Sequence, residues 1–336
     1  MRMAPVRMAV IGIDHRHVYT MAAHLIDAGA TLVAWATERT PNTLPGWLER
    51  FPDTPRRPRD AILGDPSIDL ILTAAVPSER AALAMAAMEA GHHVLSDKPG
   101  ALTAADVDRL EATAARTGRR WSVDFSERYE TPGSTRAAAL VAEGRIGTVL
   151  HLTSLGPHRL NAGARPDWFW DRDRNGGILA DIGSHQIEQA LFYAGTETAE
   201  ILHAETACLS RPDFEDYGAI SLRAGAMRAL IRVDWHTPDG LPTWGDGRLI
   251  LTGTDGTLEL RKYVDPGGAP GGDHLILVDG VAVERIHAPD DPLPFFGAFL
   301  SDLRHGTQTA HPAARPFTVT RLAIAAQAHA SEGRAS

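Results

Sequence analysis

Cysteine is almost absent from this chain of 336 residues, because Cys208 is the only one. An intrachain disulfide is therefore excluded, and with it the class of small secreted proteins that disulfides hold together. Long apolar stretches are also missing, since no run approaches the roughly 18 residues that a membrane-spanning helix needs. The apolar run at the start of the sequence is too short for a signal peptide. We expect a cytoplasmic protein without a membrane partner.

Positive charge is scarce as well. The chain has 33 Lys and Arg against 42 Asp and Glu, which gives a formal net charge of -9. Nucleic acids and anionic membranes bind basic surfaces, so neither is an expected partner. Apolar residues make up 44% of the chain and charged residues 22%, which indicates a folded protein. A chain of this length exceeds what one core usually supports, so two domains are expected.

Strand and helix patterns alternate in the first third of the sequence. Short apolar runs at residues 6–13, 31–36 and 69–75 predict buried parallel strands with helices between them. Later in the chain strands follow strands, which is typical of an antiparallel sheet. We predict an α/β protein with a doubly wound parallel sheet over residues 1–126, and an α+β domain with a large, mostly antiparallel open sheet over residues 127–336.

The first predicted strand runs into a turn with the sequence GIDHRH, residues 12–17. A dinucleotide-binding turn reads G-x-G-x-x-G at this place, because glycines let the backbone approach a pyrophosphate at a helix N-terminus. Gly12 fits this pattern, whereas Asp14 and His17 replace the other two glycines. The position of the turn favours nucleotide binding, and Asp14 is also suited to capping the next helix. His15 and His17 have no third ligand at metal-site spacing, so the sequence predicts no metal site.

A second motif places Lys98 between Asp97 and Pro99, directly after another predicted strand. Ligands of open α/β sheets bind at the carboxyl ends of the strands, so Lys98 is a candidate ligand-binding residue. The alternative is a solvated lysine after a strand.

A third motif, GGILADIGSH at residues 176–185, opens a predicted helix. Asp181 and His185 are four residues apart and would share one helix face, and an imidazole beside a carboxylate suits proton transfer near neutral pH. The alternative is a structural histidine in the core, with Asp181 complementing the helix dipole.

Together, the glycine turn, the Asp-Lys-Pro segment and the Gly-Gly…Asp-x-Gly-x-His segment resemble the Gfo/Idh/MocA oxidoreductase superfamily along nearly the whole chain. The resemblance implies an N-terminal Rossmann domain that binds a nicotinamide cofactor. It also implies a C-terminal sheet domain that carries a sugar, inositol or related polyol. By the same resemblance Lys98 contacts the reacting hydroxyl and the nicotinamide ribose, His185 is the general acid/base, and Asp181 orients the substrate and His185. Self-association through one face of the second sheet, as a dimer or tetramer, is a further implication.

The topology places this cofactor, NAD(P)(H), at the carboxyl edge of the first sheet. The expected cofactor-binding residues are Gly12, Asp14, His15, His17, Thr37, Glu38, Arg39, Pro77, Asp97 and Lys98. At the end of the second strand Thr37 and Arg39 favour NADP(H), whereas Glu38 would suit NAD(H).

A loop rich in aromatic and polar side chains supplies most of the expected substrate contacts. Aromatic faces beside Arg, Asn and His suit a polyhydroxylated ligand, which presents both apolar faces and hydroxyls. The expected substrate residues are Arg128, His158, Arg159, Trp168, Trp170 and His185. Packing of the tryptophans onto the sheet is the alternative.

Two other functions found in the superfamily stay open. One is an NAD-dependent glycoside hydrolase, and the other is a non-catalytic regulator that senses nucleotides. The intact Lys98, Asp181 and His185 favour an enzyme, whereas the altered glycine turn favours the regulator.

Overall fold

The computed structural model describes residues 4–334, and within them the chain divides into two compact units. Unit 1 contains the chain up to Asp124 together with Arg165–Gly176 and Pro294–Arg321. Unit 2 contains Phe125–Ala164, Gly177–Leu293 and the chain from Leu322 onward. The division after Asp124 lies close to the boundary predicted at residue 126. Two later segments that the sequence assigned to the second domain belong to unit 1.

Unit 1 is built on a parallel sheet of five strands in the order β2-β1-β3-β4-β5. The strands are β1 (Arg7–Ile11), β2 (Thr31–Ala36), β3 (Leu70–Thr73), β4 (His93–Asp97) and β5 (Trp121–Asp124). Every residue of β3 and β5 is buried, as expected for strands covered on both faces. The predicted doubly wound parallel sheet is confirmed.

The helices of the chain vary in length from single turns to five turns. In chain order they are α1 (Val18–Asp27), α2 (Leu44–Arg50), α3 (Arg59–Leu63), α4 (Pro77–Glu89), α5 (Ala104–Thr117), α6 (Ser126–Tyr129), α7 (Pro132–Ala142), α8 (Arg172–Asn175), α9 (Ser184–Ala194), α10 (Pro294–His305) and α11 (Arg315–Arg334). Local signals explain the clearest of them: the Thr103 hydroxyl accepts a hydrogen bond from the Asp106 backbone N–H at 3.1 Å and begins α5, and Gly118 ends it at φ +66°. None of the helices described is long and apolar enough to span a membrane.

Distant contacts attach the late segments to unit 1. The His24 ring of α1 stacks on Phe296 of α10 with 4.9 Å between centroids, and Phe317 lies 4.8 Å from Trp121 of β5. These pairs join residues far apart in the sequence, so no local pattern reveals them.

Unit 2 contains a sheet of eight strands in the order β13-β12-β11-β10-β6-β9-β8-β7. The strands are β6 (Val149–Pro157), β7 (Glu200–Ala207), β8 (Tyr217–Ala224), β9 (Met227–Asp234), β10 (Arg248–Gly253), β11 (Gly256–Arg261), β12 (His274–Asp279) and β13 (Val283–His287). Neighbours run antiparallel except β6 and β9, which are parallel. Buried residues alternate with more exposed ones along β8 and β9, so one face of the sheet is covered. The predicted, mostly antiparallel sheet is confirmed.

Candidate active site

Gly12 fixes the turn after β1 at the carboxyl edge of the first sheet. Its φ is +81°, and a Cβ at this position would lie only 2.5 Å from the Cβ of Ala75. The Gly12 N–H donates to the Ala36 carbonyl at 2.9 Å, and its own carbonyl accepts from the Ala74 N–H at 3.0 Å. The turn is therefore held tightly between the ends of β2 and β3, and only glycine fits there.

Asp14 does not have the capping role that the sequence suggested. Helix α1 begins at Val18, its N-cap position is His17, and no side chain caps it. Asp14 is instead 8% exposed, and its carboxylate lies 3.6 Å from the Arg39 guanidinium. Burial raises the pKa of Asp14, although Arg39 opposes that rise.

Asp97, at the end of β4, holds both histidines of the turn. Its Oδ2 accepts a hydrogen bond from His15 Nδ1 at 2.7 Å, and its Oδ1 accepts one from His17 Nδ1 at 2.8 Å. The Arg80 guanidinium donates to Oδ2 and the Lys98 backbone N–H donates to Oδ1, each at 2.8 Å. All four acceptor positions of this buried carboxylate are thus in use. We call these three side chains, His15, His17 and Asp97, the histidine clamp.

Burial and the neighbouring charges determine the protonation states of Asp97 and His15 in the histidine clamp. Burial alone would raise the pKa of Asp97, but Arg80 and then the two imidazoles hold it well below its usual range. Burial lowers the pKa of His15 to about 3, and Asp97 offsets only part of that effect. At neutral pH His15 is therefore uncharged and donates its Nδ1 proton to Asp97, which leaves Nε2 as a hydrogen-bond acceptor.

The structure supplies the third metal-donor side chain that the sequence lacked. Donor atoms of His15, His17 and Asp97 lie within 4.8 Å of one another. The Asp97 carboxylate, however, already neutralises the buried Arg80, and the Lys98 ammonium belongs to the next residue along the chain. A cation here would meet two positive groups, so the local charge disfavours a metal ion. The absence of a metal stays a prediction.

Arg80 is a residue of this site that sequence reasoning missed. It lies on α4, is fully buried, and donates to the carbonyls of Ala75, Lys98 and Pro99 as well as to Asp97. It therefore fixes the turn that carries Lys98, which is only 4% exposed. An arginine on a helix carries no sequence signal for such a role, because most are solvated.

Three arginines surround the end of β2. Arg56 donates to the Thr37 carbonyl at 2.8 Å, and Arg59 lies 3.6 Å from the Glu38 carboxylate. Arg39 forms two hydrogen bonds, at 2.8 and 2.9 Å, to the carboxylate of Glu79. Arg56, Arg59 and Glu79 were not among the predicted residues. Pro77, which was, begins α4 after β3.

In unit 2, the third motif departs from a regular helix. Asp181 lies in a π-helical turn, Leu179–Gly183, and His185 lies in α9, where it is 1% exposed. The π turn widens the helix just before His185, and the shared face of Asp181 and His185 stays a prediction. The Phe125 ring meets the His185 ring edge to face at 6.2 Å.

Two predicted substrate residues, Arg128 and Arg159, have hydrogen-bond partners within the protein. The Arg128 guanidinium forms a bidentate pair with the buried Glu188 carboxylate, 2.7 Å from Nε to Oε2, and lies 4.0 Å from the Phe192 ring. Arg159 donates to three backbone carbonyls of the segment 238–241. Their substrate role stays a prediction, but these hydrogen bonds hold the loops in place.

The predicted aromatic residues fall in two places. Trp168 and Trp170 lie in a short turn of unit 1, Asp167–Trp170, where the Trp168 ring is 6.3 Å from His15. His158 of unit 2 packs against Trp235 at 5.4 Å and against Trp244 at 4.5 Å. Trp244 was not among the predicted residues, because the sequence around it, PTWGDG, has the composition of an ordinary loop.

Two family models match this chain. The NAD-binding Rossmann fold of an oxidoreductase family matches residues 6–125, and the GFO/IDH/MocA C-terminal domain matches residues 134–259. The chain belongs to the Gfo/Idh/MocA family of oxidoreductases. The resemblance found in the sequence, and the NAD-binding nature of unit 1's fold, are confirmed.

Individual proteins agree with this membership. A solved structure from Erwinia carotovora atroseptica, described as an oxidoreductase, is 39% identical with a TM-score of 0.92, and the match covers 97% of this chain and 98% of that one. A 1-carboxy-3-chloro-3,4-dihydroxycyclohexa-1,5-diene dehydrogenase of Comamonas testosteroni is 27% identical over 68% of this chain and 55% of that protein. A D-xylose dehydrogenase of Paenarthrobacter nicotinovorans is 30% identical over 38% of this chain and 34% of that protein. The chain thus matches about half or less of the length of these two curated relatives.

Proposed function

We propose that this Gfo/Idh/MocA protein is an NAD(P)-dependent dehydrogenase or reductase. It transfers hydride between nicotinamide and the secondary alcohol or ketone of a sugar, inositol or related polyol. The observation that carries the proposal is the arrangement of the buried Gly12, Asp97 and Lys98 with the partly exposed His15 and His17 at the carboxyl edge of a Rossmann sheet. The two dehydrogenases of hydroxylated substrates among the relatives support the substrate class.

The cofactor is proposed to lie along the carboxyl edge of the first sheet. Two observations fit it there: Gly12 forms a tight turn without a side chain after β1, and the cations Arg80 and Lys98 lie at the same edge of the sheet. Since His15 is neutral with Nε2 as acceptor, it suits a ribose hydroxyl rather than a phosphate. The remaining expected cofactor residues, Thr37, Glu38, Arg39 and Pro77, stay in the proposal.

The nicotinamide cofactor supplies the hydride acceptor when it is bound. The chain's own residues must then remove one proton from the hydroxyl as its C–H bond breaks, and a C=O bond forms. His185 is proposed to take that proton, Lys98 to stabilise the developing negative charge on oxygen, and Asp181 to orient the imidazole and the substrate. In the reverse direction His185 returns the proton.

NADP(H) is the proposed preference. A 2′-phosphate requires cations near the end of β2, and Arg39, Arg56 and Arg59 all lie there. Glu38 pairs with Arg59, which weakens its case as the partner of a ribose diol. Comparing the Kd of NADPH and NADH by fluorescence titration tests this preference, and tighter NADH binding would contradict it.

The polyol is proposed to contact the aromatic side chains His158 and Trp244 of unit 2. Trp168 and Trp170 stay in the proposal as expected substrate residues. Aromatic faces pack against the C–H faces of a sugar ring. A cavity of about 460 Å³ adjoins Trp235 and is lined by the loop 159–164, Thr237 and Asp239. This volume is within the range of small-molecule sites.

We also propose a homo-oligomer, a dimer or a tetramer, formed through the second sheet. The register of β6, β9, β10, β11 and β12 puts Leu230, Ile250, Ile276 and Val278 on the face opposite the buried one. Leu230 is 58% exposed and Val278 36% exposed. Light scattering should give a mass that is a multiple of 36.2 kDa, and Leu230→Asp should lower that mass.

We also propose a cytoplasmic location, which the single cysteine supports and which cell fractionation tests.

The experiment for the function is a turnover assay with NADP+ or NAD+ and a panel of polyols, sugars and glycosides. Absorbance of reduced nicotinamide and release of aglycone are recorded together. Net reduced cofactor is the expected result. Aglycone release without net reduction would establish the hydrolase instead, and cofactor binding without either reaction would point to the regulator.

A further inference from the structure

Unit 2 contains a buried ion pair that the reaction described above does not use. Glu127 on α6 is 3% exposed and Lys262, directly after β11, is 1% exposed. Lys262 Nζ lies 2.9 Å from Glu127 Oε2. Burial of both charges is costly, and such a pair is retained only where its geometry and hydrogen bonds compensate for that cost.

A third residue connects this pair to His185. Gln186, the next residue along α9, donates its amide to the same Glu127 oxygen at 2.8 Å. The amide oxygen of Gln186 accepts a hydrogen bond from the Ser154 hydroxyl and another, at 3.1 Å, from the Gln189 side-chain amide. Gln186 is fully buried and has one orientation that satisfies all these partners. The beginning of α9, which carries His185, is thereby fixed to Glu127.

Glu127 also acts on its surroundings through its charge. Burial would raise its pKa, but Lys262 first, and then His185 and His158, bring the pKa well below its ordinary value. The interaction is reciprocal, so an ionised Glu127 favours the protonated form of each histidine. Its second oxygen, Oε1, is buried and has no hydrogen-bond partner in the part of the chain that the structure describes, so that atom keeps its acceptor capacity.

Other charged groups on the elements around α9 must be considered. Lys262 after β11 and His158 after β6 act on Glu127 through their charge, Tyr263 follows Lys262, and Arg128 pairs with Glu188 between α6 and α9. Asp181 lies in the π turn that precedes α9. Arg128 and Glu188 neutralise each other in a bidentate pair. Lys262 opposes Glu127, so the carboxylate and its cation act on His185 in opposite directions.

We propose that Glu127 is a positioning residue for His185: through Gln186 it fixes the histidine's helix, and its carboxylate stabilises the imidazolium formed when His185 accepts a proton. This inference rests on the proposed function, in which His185 transfers the proton. It assigns the Glu127–Lys262 pair a purpose beyond joining α6 to β11.

The test compares Glu127→Gln, Glu127→Asp and the double variant Glu127→Gln/Lys262→Met, with Glu259→Gln as the control. Glu259 lies on β11 and pairs with Arg261 at 2.9 Å, so its loss removes a carboxylate of the same unit without touching Glu127. The pKa of His185 is measured by NMR of protein with isotopically labelled histidine, and its signal is assigned with His185→Asn. This measurement needs no substrate and no turnover.

Glu127→Gln is expected to lower the pKa of His185 by about 1, because Lys262 is then uncompensated. Glu127→Asp and Glu259→Gln should keep it near the wild-type value. The double variant, which leaves no unpaired buried charge, should give a value between wild type and Glu127→Gln, and it carries the test where the single variant fails to fold. With a substrate in hand, Glu127→Gln should lower kcat by about tenfold at neutral pH, leave KM for the polyol within about twofold, and move the pH profile with the pKa.

An unchanged pKa of His185 in both folded Gln-containing variants would overturn the proposal. A lowered pKa in a protein that oxidises no polyol would support the electrostatic link while the proposed function fails. A lowered pKa with an unmoved pH profile of turnover would show that His185 does not transfer the proton.

Discussion

Replacing Asp97 by Asn tests the histidine clamp, because the carboxylate binds four donors at once. The substitution keeps the shape of the side chain but removes its charge, and it places an NH₂ group against at least one N–H donor. Arg80 would then remain buried without its carboxylate. Removing one partner of a buried ion pair costs about 3–5 kcal/mol, and we expect the free energy of unfolding to fall by that amount.

The assay is urea denaturation followed by circular dichroism, with NADPH titration on the folded protein. Glu89→Gln is the matched control, because Glu89 pairs with Arg116 on the surface of the same unit, where both side chains are more than half exposed. The control should change stability by less than about 1 kcal/mol. The double variant Asp97→Asn/Arg80→Met should recover part of the loss, since it removes both charges. A single variant as stable as the control, or a double variant with no recovery, would refute the account of this cluster.

Further predictions concern five single substitutions. His185→Ala should lower turnover on the order of 10²-fold with cofactor affinity nearly intact, whereas Lys98→Met should weaken both turnover and cofactor binding, as steady-state kinetics and NADPH titration would show. Asp14→Gly should tighten NADPH binding in the same titration, because it removes a carboxylate from the glycine turn. Arg56→Gln should weaken NADPH binding more than NADH binding, measured as the ratio of the two Kd values. Burial lowers the pKa of His93 to about 4, so between about pH 4 and 6.5 the folded protein binds fewer protons than the unfolded chain. The folded protein therefore loses stability as the pH falls through this range. His93→Gln should remove at most about 2 kcal/mol of this loss at pH 5, as urea denaturation would measure.

Each of these has an outcome that contradicts it. Wild-type turnover in His185→Ala would mean that the proton goes elsewhere, and an unchanged NADPH affinity in Asp14→Gly would mean that the Asp14 carboxylate is far from the cofactor. Equal losses for the two cofactors in Arg56→Gln would remove that residue from the phosphate site. An acid sensitivity that persists in His93→Gln would assign it to other groups, of which the neutral His15 is the first candidate.

The parts of the fold that local chemistry controls could be predicted from the sequence. The apolar runs at residues 6–13, 31–36 and 69–75 are local patterns, and they predicted the parallel sheet correctly. The attachment of Pro294–Arg321 to unit 1 depends on contacts such as Phe296 with His24, which join distant parts of the chain. Such contacts leave no periodic signal.

The candidate site likewise combines residues that local motifs reveal with residues that distant contacts bring in. Lys98 and Gly12 stand in recognisable motifs at strand ends, so their neighbourhood was predictable. Arg80 and Arg56 reach the site from a helix and a loop, and a single sequence does not distinguish them from solvated arginines. The π turn before α9 was also hidden, because the sequence pattern of a π turn is that of an ordinary helix.

The most direct test of the central claim uses a polyol that the panel identifies as a substrate, with deuterium on the carbon that bears the reacting hydroxyl. The wild-type protein is incubated with this compound and NADP+, and the reduced cofactor is examined by mass spectrometry. Our account predicts that the deuterium appears on the nicotinamide ring, and that His185→Ala forms the same labelled product far more slowly. Reduced cofactor without deuterium, or a protein that converts the substrate without any reduced or labelled cofactor, would contradict it.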